Sequence, residues 1–516
     1  MFDDVDKTEM EYEMTLSPKA YPFLNTLDVD QDVKRRLALQ LNGIELGSSN
    51  ILYTPLGEEG RAETILSEVD KMFKENSATV NEVLFDLEIS NKDKFGPRSR
   101  ALPWSERKRQ LDESFEYDSL LDRLDNNVPP SGNRSLRPID YPTALKLLKN
   151  DTNSGLPDYT RKGIVKKRVL ENIDEYLEED YPCLLFTRTQ ENWKTRTVWG
   201  YPIADVLREM RFYSPLLSYQ KNLPYRAALI GPEEVSRKVR DIVLACQKSS
   251  RTIVSIDFIH FDDNAKGTLQ SLAFQDIKSK FQYKYQDEIS ELQKRFLTIG
   301  ILTPDGIKEG PHGIPSGSPF TNEVGSLVQL IPAKQLPFID ENFMQVQGDD
   351  GVYLVPKDCE DKLIKQFESY GLKVNKTKSY TSDKYAIYLQ CLHHIDYISA
   401  GIIGGIYPIY RALNRLCFQE RWSKFEDHDI TGRDYYSIRA LCILENCKYH
   451  PLFENFVKII HKYDKYSLDF TSQGLSNYVH MLESANGAEG ILNNQYGDNT
   501  RGLRNFESYK IVKRLS

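Results

Sequence analysis

The chain has 516 residues, 40% hydrophobic, 11% aromatic and 28% charged, which excludes a disordered tail or a disulfide-stapled module and leaves room for about three domains at roughly 100–200 residues each. Its 67 Lys and Arg against 75 Asp and Glu give a net charge of −8, and that excludes a protein coating nucleic acid through a globally basic surface. The excess is local: residues 1–100 hold 20 acids and 12 bases, so 101–516 is balanced at 55 and 55.

In chain order, the acidic start MFDDVDKTEMEYEM lacks the basic and apolar regions of a signal peptide. No window reaches the 18 or more apolar residues of a membrane span. The seven cysteines carry no CxxC pair and read as reduced, buried small hydrophobes. The protein is therefore expected to stay in the compartment where it is made. Polar NKDKFGPRSR closes the acidic stretch, a basic cluster follows at Arg107, Lys108 and Arg109, and VPPSGNRS marks a loop at Val128–Ser135. Phe186 to Trp199 interleaves Arg188, Lys194 and Arg196 with Trp193 and Trp199. Such a mixture suits triphosphate charge and base stacking, although Lys194 and Arg196 also alternate as the outward positions of a solvated strand would.

Thr252 to Ile256 is a β-branched strand that presents Asp257 at its C-terminal end. His312 to Asn322 is a Ser-Gly loop whose amides and hydroxyls can bond a ribose or cradle a phosphate. It runs into a helix starting near Thr321, with Val324, Leu327, Val328 and Ile331 on one face and Pro332 ending or kinking it. Phe343–Gln347 and Val352–Val355 flank Gly348-Asp349-Asp350-Gly351 and predict a hairpin with both acids at its tip. Asp358 is expected to cap a helix carrying Leu363, Ile364 and Phe367, with Gly371 as its stop and Leu372–Val374 as a further strand. Beyond about residue 400 the pattern is mainly helical, as in Phe453, Phe456, Val457 and Ile460, and the last 16 residues carry five bases against one acid.

A lone GDD arises by chance about one time in ten in a chain this long. Asp257, Asp349 and Asp350, however, fall at ends and turns of one predicted sheet, and crowded carboxylates persist only where something cationic neutralises them. Oxygen-preferring Mg2+, with Mn2+ as the alternative, fits that demand. Two such ions roughly 3.5–4 Å apart would serve an in-line nucleotidyl transfer.

In order, these segments resemble the motif series of viral RNA-dependent RNA polymerases over roughly residues 150–395. Asp257-Phe-Ile-His-Phe-Asp262 resembles motif A, Ser316-Gly-Ser-Pro-Phe-Thr321 motif B, Gly348-Asp349-Asp350 motif C and Gly371 to Lys378 motif D. Tyr388-Leu-Gln-Cys391 resembles motif E without its usual Gly, Lys194-Thr-Arg196 motif F, and Thr152 to Pro157 motif G. WKTRTVWGYP, IPSGSPFTN and DFIHFD are most similar to the small double-stranded RNA viruses, picobirnaviruses first and partitiviruses second.

The resemblance implies an α+β right-hand fold of fingers, palm and thumb with a closed, encircled active site and an N-terminal extension. Its expected boundaries are 1–100 for the extension, 101–250 and 266–310 for the fingers, 251–265 and 311–395 for the palm, and 396–516 for the thumb and basic tail. It implies that Asp257, Asp349 and Asp350 bind the metals. Arg188, Lys194 and Arg196 would take the triphosphate. Asp262, Ser316, Gly317, Thr321 and Asn322 would form the ribose region, and Ser154 and Gly155 would guide the template. Lys378, with Lys376 as the alternative, would protonate the leaving pyrophosphate. Many relatives carry Asn four residues after the motif B Thr, where this chain has Gly325, so Asn322 is expected to take over the ribose contact.

The implied activity is template-directed RNA synthesis from ribonucleoside triphosphates, transcribing and replicating a double-stranded RNA genome. The protein would act as a monomer in the virion interior and host cytoplasm, with RNA template and product and a capsid protein as partners and no membrane. The alternative is a structural or RNA-binding virion protein with an inactive polymerase fold. A reverse transcriptase is disfavoured by Gly348 and Asn322, and a helicase by the absence of GxxxxGK[ST]. The acidic residues 1–100 are expected to wrap the outside of the fingers and thumb, or face a partner, and to contribute little to RNA binding.

Overall fold

The computed structural model describes residues 21–58, 60–120, 132–486 and 500–515; the start of the Val128–Ser135 loop and the acidic first 20 residues lie outside them. Its ten strands are β1 (Cys183–Thr189), β2 (Thr195–Gly200), β3 (Arg251–Ile256), β4 (Ile301–Thr303), β5 (Gly306–Lys308), β6 (Met344–Gln347), β7 (Asp350–Pro356), β8 (Tyr380–Ser382), β9 (Tyr385–Tyr388) and β10 (Cys391–His394). They form one sheet ordered β2-β1-β4-β5, a central sheet ordered β6-β7-β3-β8, and the β9-β10 hairpin. Helices make up most of the remainder.

The central sheet is antiparallel throughout, and its apolar strands sort their side chains by the two-residue period. Val254, Tyr353 and Val355 point into a core with Val324, Val328 and Ile331 of the Thr321–Lys334 helix. Ile253, Val352 and Leu354 point the other way, against Val239, Ile242 and Val243 of the Pro232–Gln247 helix. Both faces are covered, which fits the unbroken apolar run Val352 to Val355 of β7.

Several local expectations are corrected. Gln347 pairs with Asp350, so the hairpin turn is Gly348-Asp349, with Gly348 at φ 61. Asp350 is the first residue of β7 and not part of the tip. Pro332 lies within its helix, which continues to Lys334. The next helix, Glu360–Ser369, follows Cys359 as its cap residue, because Asp358 takes a left-handed φ of 64 in the preceding turn. Leu372–Val374 forms only the isolated bridge Phe258↔Val374. The basic C-terminal stretch holds the helix Glu507–Leu515, whose Ile511 and Val512 are buried in the core of the Phe453–Tyr463 helix, leaving its lysines on the opposite, solvated face.

Residues 31–75 join two cores. Leu37 and Leu41 of the Gln31–Leu46 helix pack with Leu156, Leu184 and Leu302. Ile65 and Val69 of the Arg61–Glu75 helix pack with Leu413, Phe456 and Ile460. The intervening segment is pinned by the bridges Ser48↔Ala101 and Tyr53↔Phe418.

Candidate active site

The β3–β7 register continues one step beyond Ile256↔Gly351 to set Asp257 opposite Asp350. Asp257 is fixed by its surroundings: Asn375 donates Nδ2 to its Oδ2 at 2.9 Å and the Ser379 hydroxyl accepts from its backbone N–H at 3.1 Å. Burial raises the Asp257 carboxyl and neighbouring Asp349 raises it further, against Lys378, Asn375 and Lys194. Asp350 is pushed up to about 8 by burial and then by Asp349 and Asp257. Asp262 keeps solvent-facing surface in the cleft but is walled by protein on most sides. That environment, with Asp349 and Asp263, pushes its carboxyl up to about 7. Exposed Asp349 thus stands within electrostatic reach of all three.

The Ser-Gly loop is clamped onto β2. A side chain at Gly317 would place its Cβ 1.6 Å from the Trp199 carbonyl oxygen, so only glycine permits the approach. Ser316 Oγ accepts from the Trp199 N–H at 3.2 Å. Thr321 donates its hydroxyl to the Pro315 carbonyl at 2.6 Å, with the Ser318 carbonyl at 2.8 Å. Both hydroxyls therefore shape the loop. The Ile314 N–H donates to the Asp262 carbonyl at 2.8 Å, docking loop and acid together.

The helix that follows reaches the acids through a polar stripe. Ser326 Oγ accepts from the Gly348 N–H at 2.9 Å, and Gln329 Nε2 donates to the Gly348 carbonyl at 3.0 Å. Gln329 Oε1 in turn accepts from the Tyr353 hydroxyl at 2.7 Å. Asn322, Ser326 and Gln329 lie at i, i+4 and i+7, on one helix face. A Cβ on Gly325 would lie 3.5 Å from Phe261 and 3.6 Å from the Gly348 Cα. A Cβ there would make ordinary contact with both, and Asn322 lies about one turn earlier on the same helix.

Facing the acids are the cations. Arg188 sits directly opposite Arg196 across the β1–β2 pair, and like charges so placed repel unless an anion lies between them. This pairing argues against a merely solvated strand. Burial lowers the Lys194 ammonium, and nearby Arg196 and Lys378 lower it further. Lys378 is within electrostatic reach of Asp257 and Lys194. Arg188 Nε also donates to Glu420 at 3.2 Å, which Arg98 meets at 3.5 Å while also pairing with Glu191 at 3.5 Å.

Ser154 is fully buried, and its hydroxyl accepts from the Thr160 N–H at 3.2 Å. Gly155, at φ 67, lies where a Cβ would be 2.5 Å from the Tyr201 carbonyl. Both residues shape the 152–160 loop from within. Among the described residues, no three His, Cys, Asp or Glu side chains form a ready-made metal cage. The donors nevertheless fit a hard divalent cation: they are carboxylates, and burial followed by their mutual repulsion raises the Asp257 carboxyl and pushes Asp350 up to about 8, which a bound cation would offset.

The family model for viral RNA-dependent RNA polymerase matches residues 97–391. The chain belongs to this family. It is 30% identical over 432 residues to a potential RNA-dependent RNA polymerase of a human picobirnavirus (strain Human/Thailand/Hy005102/-), covering 77% of this chain and 79% of that protein. An RNA-directed RNA polymerase of Cryptosporidium parvum virus 1 is 23% identical over 289 residues, or 49% of this chain and 53% of that one. The crystal structure of a human picobirnavirus RNA-dependent RNA polymerase superposes with a TM-score of 0.76 at 26% identity, over 93% of this chain and 97% of that one. Its insertion loop deletion mutant gives 0.74 at 25% identity, over 93% and 96%. The chain therefore has the α+β polymerase fold, and no helix among the described residues is long and apolar enough to cross a membrane.

The polymerase site also draws on residues outside the motifs. Half-buried Lys94, from the acidic first hundred, lies within electrostatic reach of Lys378, Arg411, Glu191 and Asp257. This corrects the expectation that the whole stretch stays outside. Arg411, whose Nε donates to the Tyr407 hydroxyl at 3.1 Å, is in turn within reach of Asp350. The spacing of Arg411 and Arg415, four residues apart on the Ile409–Cys417 helix, was the available sign. At the hairpin of Tyr388 to Cys391, Leu389 and Gln390 make the tip at φ 48 and 66, so Gln390 takes a left-handed position that glycine adopts most readily.

Proposed function

We propose that this polymerase copies RNA by two-metal nucleotidyl transfer and that it transcribes and replicates a double-stranded RNA genome. The observation that carries the reading is the opposition of two charge sets: Asp257, Asp349 and Asp350 on and beside the central sheet, and Arg188, Lys194, Arg196 and Lys378 across from them. Magnesium, or manganese, held by the three aspartates would supply Lewis acidity at the attacking hydroxyl and at the reacting phosphate. Arg188, Lys194 and Arg196 hold the triphosphate and offset charge as it builds on the leaving pyrophosphate. Lys378 donates the proton to that group, being the motif D lysine that reaches Asp257. Asp262 and Asn322 meet the ribose 2′-hydroxyl, the group that separates RNA from DNA precursors, while Ser316, Gly317 and Thr321 hold the loop beneath it. The loop shaped by Ser154 and Gly155 guides the template.

The fingers are 101–250 and 266–310, the palm 251–265 and 311–395, and the thumb 396–516, with 1–100 as the extension. The protein works as a monomer in the virion interior and host cytoplasm beside its capsid protein.

The test is incorporation of labelled ribonucleotides on an RNA template by purified protein. Asp349→Ala is expected to lower synthesis at least about 10³-fold with RNA binding retained. Undiminished synthesis would remove the two-metal assignment, and an inactive wild type that still binds RNA would favour a structural virion protein.

A further inference from the structure

Arg226 lies outside every motif and is 1% exposed. Its only carboxylate partner among the described residues is Glu323, also 1% exposed, at 3.1 Å from Nη2. The same Nη2 lies 3.4 Å from Asn322 Oδ1. The residue is carried by a short segment locked to β6, the strand that leads into the Gly348-Asp349 turn. Ala227 N–H donates to Gln345 Oε1 at 3.0 Å, Gln345 Nε2 donates to the Pro224 carbonyl at 2.8 Å, and Val346 N–H donates to the Tyr225 carbonyl at 3.1 Å. Arg226 therefore spans from the acid-bearing hairpin to the first turn of the Thr321–Lys334 helix.

A guanidinium has five donors and no acceptor. Whatever part of the Asn322 amide faces Arg226 must be its oxygen, which leaves Nδ2 on the other side. A Cβ on Gly348 would lie 3.5 Å from that Nδ2, so the amide nitrogen is turned toward the catalytic turn. With its oxygen engaged, Asn322 presents a donor, and a ribose 2′-oxygen can accept from it.

We propose that Arg226 is a positioning residue that locks the Asn322 amide with its donor toward the sugar of the incoming nucleotide and so sets discrimination between ribo- and deoxyribonucleotides. The proposal rests on the reading of Asn322 as a ribose contact, and the buried Arg226–Glu323 pair is retained for this orientation. A buried ion pair often contributes little net stability compared with apolar residues of similar size, so stability alone does not account for it.

The measurement is the ratio of kcat/KM for a ribonucleoside triphosphate to that for its 2′-deoxy counterpart, with the full chain on an RNA template. Asn322→Ala is expected to lower the ratio at least tenfold, and an unchanged ratio removes both the ribose reading and the clamp. Asn322→Asp, which keeps size but presents only acceptors, is expected to match Asn322→Ala; a ratio near wild type would mean that the oxygen faces the sugar and would overturn the orientation. The double variant Arg226→Met/Glu323→Met removes both buried charges together. It is expected to bring the ratio within about twofold of Asn322→Ala, with ribonucleotide kcat changed less than the ratio, and Asn322→Ala added to it should cause no further drop. A wild-type ratio in the double variant, or full additivity with Asn322→Ala, overturns the clamp while leaving the ribose contact standing. Should the double variant fail to melt cooperatively, Arg226→Lys with Asn322→Asp carries the same decision: a single flexible ammonium is expected to lower the ratio, and an unchanged ratio counts against the clamp.

Discussion

The anionic and cationic sides of the cleft are built by opposite means. The acids stand on and beside short strands whose backbone is held from behind. Gly348 is bonded on both its N–H and its carbonyl by Ser326 and Gln329, and Asp257 is bonded by Asn375 and Ser379. The exposed cations instead project from the turn end of the β1–β2 pair, with Arg188 facing Arg196 and Glu420 as the acid that pairs with Arg188. Metal chemistry tolerates little displacement, whereas a triphosphate entering and a pyrophosphate leaving need a surface that yields. Rigidity is thus spent on the side where bonds change.

That contrast can be broken at graded cost. After Asp349→Ala, Gly317→Ala should be the most damaging change, because the loop must retreat from the Trp199 carbonyl; synthesis should fall about 10²-fold with RNA binding retained. Activity within threefold of wild type would show that the loop is not fixed as described. Arg196→Ala on the yielding side should raise KM for nucleotide about tenfold and leave kcat less affected. It should also relieve the repulsion with Arg188, so the melting temperature should hold or rise; a collapse in stability would place Arg196 among structural residues instead.

The third test is pH. Asp262 and Asp350 sit near 7 and 8 in the folded chain, above the ordinary carboxyl range. The folded state therefore holds protons that the unfolded state has released. Stability from these groups is full below about pH 4 and is lost as pH rises through 7 to 8. Without metal, the melting temperature relative to Asp350→Asn should decline over that window, and Mg2+ should restore it at the alkaline end. A wild-type curve that climbs, or one indifferent to Mg2+, would contradict the repulsion argument. Smallest of all, Glu420→Gln removes a partly exposed ion pair and should cost at most about 1 kcal/mol by chemical denaturation, while making synthesis less sensitive to added salt.

Much of this was legible in the residues. The acids, the Ser-Gly loop, the amphipathic helix from Thr321 and the basic strand all announce themselves by local spacing, and each forms close to where its pattern places it. What escaped is long-range. Ser326 and Gln329 look like interruptions of an apolar helix until Gly348 is brought against them. Lys94 lies 163 positions before Asp257 in an acidic stretch, and only tertiary packing carries it inward. Asp350 was expected at a turn tip because GDD reads as a turn, but strand pairing claims it. Ser154 shows the converse: a polar residue in a template motif whose hydroxyl is consumed by its own loop.

The strap formed by residues 31–75 has a mechanical consequence. Each end is sunk in a different core, by Leu37 and Leu41 on one side and Ile65 and Val69 on the other. The stretch between them is fastened again where the Thr54 hydroxyl donates to the Leu416 carbonyl at 2.5 Å. Withdrawing any one of these apolar anchors costs about 1.5–3 kcal/mol, several times thermal energy. Parting the two cores on this side therefore requires pulling at least one anchor out, so the belt resists opening sideways.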